Sequence, residues 1–257
     1  MSWERNIIIK SEQEIATLRE AGRINAKALD AVRQLIRPGV TTAELDAAAE
    51  EVIRKHGATP TFKGYPGPYP YPASICVSIN EQLVHGIPGK RKLQVGDIVS
   101  IDCGSTFEGF VGDSATTVGV GEISPVAQRL IEVTEQALYV GIGKMRANNR
   151  VGDVSAAIQE FVESTGFNVT REYTGHGVGR QMHEGPQVPN YGIAGRGQIL
   201  RQGMTIALEP MVLVGTSQTR VLPDQWTVVS ADGSLTAHWE HSVAITEGEA
   251  LILTLPN

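Results

Sequence analysis

The sequence contains a long-range internal repeat, which constrains the fold more than any other feature. Residues 42–57, TAELDAAAEEVIRKHG, align with residues 151–166, VGDVSAAIQEFVESTG, at an offset of 109. Residues 92–102, KLQVGDIVSID, align with residues 199–209, ILRQGMTIALE, at an offset of 107. Two nearly equal offsets predict a duplicated unit whose halves pack about a pseudo-two-fold axis. The alternative is that both matches are generic amphipathic patterns.

The order helix, helix, strands occurs twice, at roughly residues 11–121 and 122–250. The first half opens with two capping boxes, Ser11 with Glu14 and Thr41 with Glu44, each followed by apolar residues at helical spacing. Residues 59–74, TPTFKGYPGPYPYPAS, contain five prolines and three tyrosines and predict an irregular, ordered surface loop. This pattern indicates an α/β fold.

Two acids are predicted to share one face of a β-hairpin. Residues 108–109, Glu-Gly, fit a two-residue turn, because glycine tolerates the positive φ that such turns require. The turn sets a register with Asp102 opposite Ala115 and Asp113 opposite Gly104. Adjacent carboxylates repel unless a cation lies between them, which predicts a divalent metal ion. The alternative is two solvated acids on a polar face, although apolar neighbours indicate burial.

Two further acids have similar surroundings. Glu209 follows an apolar run and precedes Pro210, which indicates the end or edge of a strand. Glu240 lies in LTAHWEHSVAIT, a second strand-like run. Together with Asp102 and Asp113, these acids carry more negative charge than one divalent ion neutralises. Two metal ions with bridging carboxylates are therefore expected.

The histidines are ambiguous when each is considered alone. His176 and His183 lie seven residues apart in TGHGVGRQMHEGP, where the glycines disfavour a helix that would align both rings. A histidine in such a segment is as often a structural hydrogen-bonding group as a metal ligand. His85, in QLVHGIPGKR, is equally ambiguous.

Charge and cysteine content exclude several classes of function. The net charge of −6 argues against a nucleic-acid partner, which usually requires a basic face. The start MSWERNIIIK resembles neither a signal peptide nor a membrane span, so no membrane partner and a cytoplasmic location are expected. Cys76 and Cys103 have no CxxC spacing, and reduced thiols are expected.

Five motifs in order strongly resemble type I methionine aminopeptidases: VHGIP, IDCGSTFEGFVGDSATT, REYTGHGVGRQMHEGPQV, GMTIALEPM and WTVVSADGSLTAHWEH. Each motif alone is weak, but five at compatible spacing are specific, and the resemblance spans nearly the whole chain. It implies one catalytic domain over residues 1–257 with the pita-bread fold, in which pseudo-symmetric halves surround a central antiparallel sheet. It also implies removal of N-terminal methionine from peptides and nascent proteins whose second residue is small.

The resemblance implies a role for each polar residue. Asp102 would bind one metal ion, Asp113 and Glu240 would bridge two, and His176 with Glu209 would complete the ligand set of the second ion. Glu209 would also carry a proton. His183 would contact the scissile carbonyl, and His85 would lie beside the substrate amine. The ligand set lacks thiolate, so Mn²⁺, Fe²⁺ or Co²⁺ suits it at least as well as Zn²⁺.

The resemblance places a methionine pocket around four residues, Tyr65, Tyr71, Cys76 and Trp226. Two positions depart from the family pattern: Met182 stands where an aromatic residue is expected, and Phe62 stands where a cysteine is expected. The Pro/Tyr loop is also a few residues longer than the family's short form. These departures affect the shape of the pocket rather than the metal ligands.

Two rival functions share this fold. An aminopeptidase P or prolidase would cleave before proline, but such enzymes carry an additional N-terminal domain that 257 residues leave no room for. A non-catalytic binding module would be expected to lack some metal ligands. The expected partners are peptide or nascent-protein N-termini, with the ribosome as a possible docking partner, and the chain is expected to be a monomer. Its own start, Met1-Ser2-Trp3, is predicted to be a substrate.

Overall fold

The computed structural model describes residues 7–256. The chain's own start, predicted to be a substrate, lies outside these residues. The described part contains four helices: α1 (Glu12–Leu35), α2 (Thr42–Lys55), α3 (Pro125–Ile142) and α4 (Val151–Ser164). None of them is long and apolar enough to cross a membrane. Both predicted capping boxes are present at the starts of α1 and α2.

Fifteen strands complete the fold of the described residues. In chain order they are β1 (Thr59–Pro60), β2 (Ile75–Ile79), β3 (Gln82–Val84), β4 (Ile98–Phe107), β5 (Phe110–Gly119), β6 (Asn168–Val169), β7 (Thr174–Gly177), β8 (Glu184–Pro189), β9 (Thr205–Leu208), β10 (Met211–Leu213), β11 (Thr219–Val221), β12 (Val228–Ser230), β13 (Thr236–His238), β14 (Glu240–Ala244) and β15 (Leu251–Ile252).

The largest sheet has nine antiparallel strands in the order β1-β4-β5-β14-β9-β7-β8, with β2 also paired to β4 and β15 to β14. Two three-stranded sheets, β13-β10-β6 and β11-β12-β3, lie beside it. The α/β class with a central antiparallel sheet is thus confirmed. The division into halves at 11–121 and 122–250 stays a prediction, with which the order of the elements agrees.

Each helix pair covers part of one face of the large sheet. Residues of α1 and α2 form a core with β2 and β4, whereas residues of α3 and α4 form a second core with β9 and β14. Within β4, Val99, Ile101 and Cys103 belong to the first core. Because side chains alternate along a strand, Asp102 lies on the opposite face of the sheet. The helices therefore bury one face and leave the other for the acids.

The Pro/Tyr loop at residues 59–74 is irregular apart from the two residues of β1, as predicted. The prediction that it is a surface loop is only partly right. Tyr69 is exposed, but Phe62 and Tyr71 are buried. Aromatic side chains turn inward here because they cover an apolar cavity, which is described below.

A close approach between α1 and β5 generates a prediction for stability. A Cβ on Gly112 would lie 2.5 Å from Gly22 N and 2.6 Å from Ala21 C, both of which are backbone atoms that cannot rotate away. Gly112→Ala should therefore lower the free energy of unfolding by about 1–3 kcal/mol, the usual cost of overpacking. Gly248→Ala is the matched control, because no heavy atom lies within 4 Å of its Cβ position. Equal denaturation midpoints for the two variants would contradict this packing.

Candidate active site

The predicted hairpin register is confirmed and places the first two acids. Phe107 pairs with Phe110, Asp102 with Ala115, and Asp113 with Gly104. The turn residues Glu108 and Gly109 have φ of 48° and 77°, so both adopt the left-handed conformation, which is unstrained for the glycine and uncommon for the glutamate. Asp102 and Asp113 therefore share a face of the sheet and lie diagonally across one strand pair.

The remaining ligand-type residues extend this arrangement into two rows across the sheet. The first row consists of Asp102 on β4, Ala115 on β5 and Glu240 on β14, which pair directly. In the second row, the Ser242 hydroxyl bonds to the backbone of Asp113, Ser242 pairs with Ala207, and Ala207 pairs with His176. Small residues thus separate the polar ones, which leaves space above the sheet for bound ions.

Glu209 follows β9 directly, where Pro210 ends the strand, as predicted. Its Oε1 lies 3.5 Å from His176 Nε2, and its Oε2 lies 3.4 Å from His238 Nε2. His176 Nε2 also lies 3.7 Å from Asp113 Oδ2. The structure therefore brings all five predicted ligands, Asp102, Asp113, His176, Glu209 and Glu240, to the wall of one cavity.

Burial dominates the electrostatics of this cluster. It raises the pKa of Asp102 to about 7, with Glu209 as a further cause, and it raises the pKa values of Asp113, Glu209 and Glu240 well above their ordinary range. Burial lowers the pKa of His176 to about 3, so its ring is neutral at pH 7. A neutral imidazole is the form that binds metals.

The donor atoms fit a divalent cation. One oxygen each of Asp113 and Glu240 and one ring nitrogen of His176 lie within 4.8 Å of one another. Three buried carboxylate oxygens, on Asp102, Asp113 and Glu240, have no hydrogen-bond partner. Buried acceptors of this kind are normally satisfied, and a cation shared among them would satisfy all three.

The cavity that this cluster faces holds about 140 Å³, and apart from the ligand-type residues and two further histidines its wall consists of apolar and aromatic side chains. Its wall includes the four residues predicted for a methionine pocket, Tyr65, Tyr71, Cys76 and Trp226, and also Phe62 and Met182. The cavity is smaller than the roughly 300–1,000 Å³ typical of drug-sized ligands. It therefore suits a single side chain rather than a large ligand.

Contacts among the aromatic residues fix the shape of the cavity. The Tyr71 hydroxyl donates to Gly86 O at 2.9 Å, and its ring meets the Trp226 ring edge-to-face at 5.1 Å.

Cys76 pairs with Asp102 across two strands, so its thiol lies next to the acid cluster. Cys103 pairs instead with Ile75 and lies on the opposite face, which explains why both thiols are free.

Two further histidines line the cavity, as predicted. His85 follows β3 with a φ of 60°, and burial lowers its pKa to about 4. His183 lies with its ring centroid 4.3 Å from that of His176, and its Nδ1 is 2.5 Å from the Tyr65 hydroxyl. Burial lowers the pKa of His183 to about 4, so both rings are neutral at pH 7.

Two cavity-lining residues and one buried ion pair cannot be predicted from the sequence. Phe62 and Met182 stand out in the sequence only as departures from a family pattern, and their packing around the cavity depends on the fold of the Pro/Tyr loop. Lys10 forms a buried ion pair with Glu184, 174 residues away. No local pattern signals such a pair, although the position of Glu184 directly after His183 is visible in the sequence.

Carboxylates and a neutral imidazole beside an apolar cavity, on a sheet covered by helices, define a metallopeptidase with the pita-bread fold. The chain belongs to metallopeptidase family M24, whose family model matches residues 16–247. Within this family it belongs to the methionine aminopeptidases. It is 51% identical over 249 residues to a methionine aminopeptidase of Clostridium perfringens, covering 97% of this chain and 99% of the relative.

Solved structures agree with this assignment. The methionine aminopeptidase of Thermotoga maritima matches with a TM-score of 0.94 at 48% identity, over 96% of this chain and 99% of that one. The prolidase of Pyrococcus furiosus matches with a TM-score of 0.78 at 24% identity, over 97% of this chain and 66% of that one. The second likeness shows the shared fold alone.

Divalent metal ions should stabilise the folded protein through the acid cluster. Mn²⁺ or Co²⁺ added to metal-free protein should raise the Tm, because the cation offsets the repulsion among buried carboxylates. A ligand at 100 times its Kd that binds only the folded state adds about 2.7 kcal/mol. Differential scanning fluorimetry over a metal titration measures the shift.

Asp113→Asn tests where the metal binds. The amide removes a buried charge at nearly constant volume, so the metal-free variant should melt at or above the metal-free wild type. The variant should lose most of the metal-induced rise in Tm, because an amide is a weak ligand for these ions. A rise as large as that of the wild type would place the metal elsewhere.

Proposed function

We propose that this chain removes the N-terminal methionine from peptides and nascent proteins whose second residue is small, with two divalent metal ions as cofactors. The observation that carries the proposal is the meeting of five ligand-type side chains with a cavity the size of one side chain. The family assignment supports the same reaction, hydrolysis of a peptide bond by a methionine aminopeptidase.

In this proposal Asp102 would hold one metal ion, His176 and Glu209 would hold the other, and Asp113 and Glu240 would be ligands of both. Four carboxylates support two ions rather than one, because one divalent charge leaves net repulsion among them. Oxygen and imidazole donors without thiolate suit Mn²⁺, Fe²⁺ or Co²⁺ at least as well as Zn²⁺. When bound, the ions acidify water and stabilise developing negative charge on the substrate.

The chain's own residues supply the proton and the contacts to the substrate. Glu209 accepts and passes on a proton, a role that suits a carboxyl whose pKa burial raises well above its ordinary range. His183 contacts the scissile carbonyl. When the Tyr65 hydroxyl donates to Nδ1 of His183, the neutral ring carries its proton on Nε2 and can donate to an oxygen. His85, also neutral, lies beside the substrate amine.

The cavity accounts for the preference for methionine. Rings from Tyr65, Tyr71 and Trp226, with the Cys76 thiol, surround an apolar space that an unbranched thioether side chain fits. A β-branched side chain would meet these rings, and a charged one would lose its hydration. The second residue of the substrate lies near the metal ions and the Pro/Tyr loop, which leaves room for small side chains only.

The partners follow from this reaction. A net charge of −6 suits peptide or nascent-protein N-termini better than direct binding to nucleic acid, and no membrane partner is needed. We propose that the reaction takes place in the cytoplasm. The enzyme acts as a monomer and can bind nascent chains at the ribosome.

A panel of short peptides tests the substrate. Met-Ala, Met-Gly and Met-Ser peptides should be hydrolysed, and Met-Lys and Met-Leu peptides should be largely spared, because the space for the second side chain is small. Mass spectrometry of the products measures this. Cleavage of Ala-Pro in preference to Met-Ala would instead support an aminopeptidase P or prolidase. Binding of metal without any hydrolysis would support a non-catalytic module.

His183→Ala should lower kcat far more than it raises KM, because a group that stabilises the tetrahedral intermediate acts mainly in the transition state. The metal content, measured by mass spectrometry of the purified protein, should not change. His56→Ala is the control, since His56 ends α2 and its Nδ1 lies 2.9 Å from Val52 O. Loss of a metal ion from the His183 variant would show that His183 is a ligand.

A further inference from the structure

Lys10 and Glu184 form an ion pair with both side chains only 2% exposed. Lys10 directly precedes the N-cap of α1, and Glu184 begins β8 directly after His183. Burying two charges costs desolvation free energy that their attraction does not reliably offset. Global stability alone is therefore a poor explanation for this pair, and its place beside His183 indicates a local role.

Glu184 closes the turn that carries His183. In this turn, residues 179–184, Gly179 N donates to Gln181 O at 3.1 Å, and Gln181 N donates to Oε1 of Glu184 at 3.2 Å. Val111 N donates to Gly179 O at 2.8 Å, which ties the turn to β5. One oxygen of Glu184 thus holds the turn, and the other holds Lys10.

Lys10 is itself fixed to the framework beneath the site. Its N–H donates to Gly203 O at 2.8 Å, just before β9, and its Nζ donates to Ile8 O at 3.1 Å as well as to Glu184. Ile7 forms a parallel bridge with Gly185, the residue after Glu184. The segment before α1 therefore joins the His183 turn to the strand that leads to Glu209.

Gly179 shows how closely the ion pair packs against the turn. A Cβ at this position would lie 2.5 Å from Oε1 of Glu184 and 2.6 Å from Cε of Lys10. On the other side, the His183 ring is held by the Tyr65 hydroxyl. Tyr65 of the Pro/Tyr loop therefore fixes the His183 ring. Lys10, acting through Glu184, fixes the backbone of the turn that carries His183.

We propose that Lys10 is a positioning residue for His183, acting through Glu184. Neither Lys10 nor Glu184 lines the cavity, so neither touches the substrate. The pair fixes the position of the 179–184 turn relative to Glu209 and the metal ligands. In that position His183 reaches the scissile carbonyl of the substrate. The expected effect of the pair on catalysis rests on the proposed function. Its expected effect on the position of the His183 ring does not.

The test uses the double variant Lys10→Met/Glu184→Gln, because removing one partner alone would leave a buried, unpaired charge. The double variant removes both charges and keeps an oxygen that Gln181 N can bond to. It should bind metal like the wild type and hydrolyse Met-Ala with a kcat at least tenfold lower and a KM within about threefold, since a displacement of about 1 Å can cost roughly 100-fold in rate. An unchanged kcat would overturn the proposal.

The same pair of substitutions in the His183→Ala background shows whether Lys10 acts through His183. There the additional loss in kcat should be less than about twofold, because the positioned group is already gone. An equal loss in both backgrounds would overturn the proposal, since it would show a general structural effect. The matched control is Arg171→Met/Glu163→Gln, which removes an exposed ion pair of 2.9 Å. In the protein that keeps His183, this control should leave kcat unchanged.

A second measurement does not depend on the substrate. In the Zn²⁺-loaded protein labelled with ¹⁵N-histidine, the ring signals of His183 should shift or broaden in the double variant, while those of His56 stay in place. If the double variant shows this change but the wild-type protein hydrolyses no methionyl peptide, the positioning role is supported and only the proposed function is refuted. Unchanged His183 signals would overturn the positioning role whatever the activity.

Discussion

The burial of four carboxylates at one point of the sheet is the constraint on which the rest of the structure depends. Asp102, Asp113, Glu209 and Glu240 are largely shielded from water, and their pKa values are raised because the charged forms lose hydration and repel one another. Such a cluster is unfavourable unless cations are bound. The two hydrophobic cores on the helical face therefore have to offset the unfavourable free energy of the acid cluster.

Strand alternation reconciles this cluster with a stable fold. Along β4, Val99, Ile101 and Cys103 pack beneath the helices, while Ser100, Asp102 and Gly104 occupy the other face. Small residues at the positions between ligands in the two rows, Ala115, Ser242 and Ala207, keep the acids apart and leave room for ions. Larger residues at these three positions would fill the space that the metals need, without any change to a ligand.

The sequence predicted the parts of the structure that depend on local rules. Capping boxes gave the starts of α1 and α2, and the two-residue turn at 108–109 gave the register that joins Asp102 to Ala115. The meeting of the five predicted ligands needed the family resemblance, because β14, β9 and β7 are neighbours in the sheet although long segments separate them in the chain. The burial of Phe62 in the Pro/Tyr loop and the Lys10–Glu184 pair were beyond prediction, since both depend on contacts between segments far apart in sequence.

The division of the ligands between the predicted halves has a further consequence for folding. Asp102 and Asp113 come from the first half, whereas His176, Glu209 and Glu240 come from the second, and β5 of the first half pairs with β14 of the second. In the proposed two-ion site, cations held by residues of both halves would bind the assembled sheet better than either half alone. Metal binding would then contribute free energy to the association of the halves as well as to catalysis. The pairing of β5 with β14 thus adds the acids of the second half to Asp102 and Asp113, which already repel one another within their hairpin, and the proposed cations would offset that added repulsion.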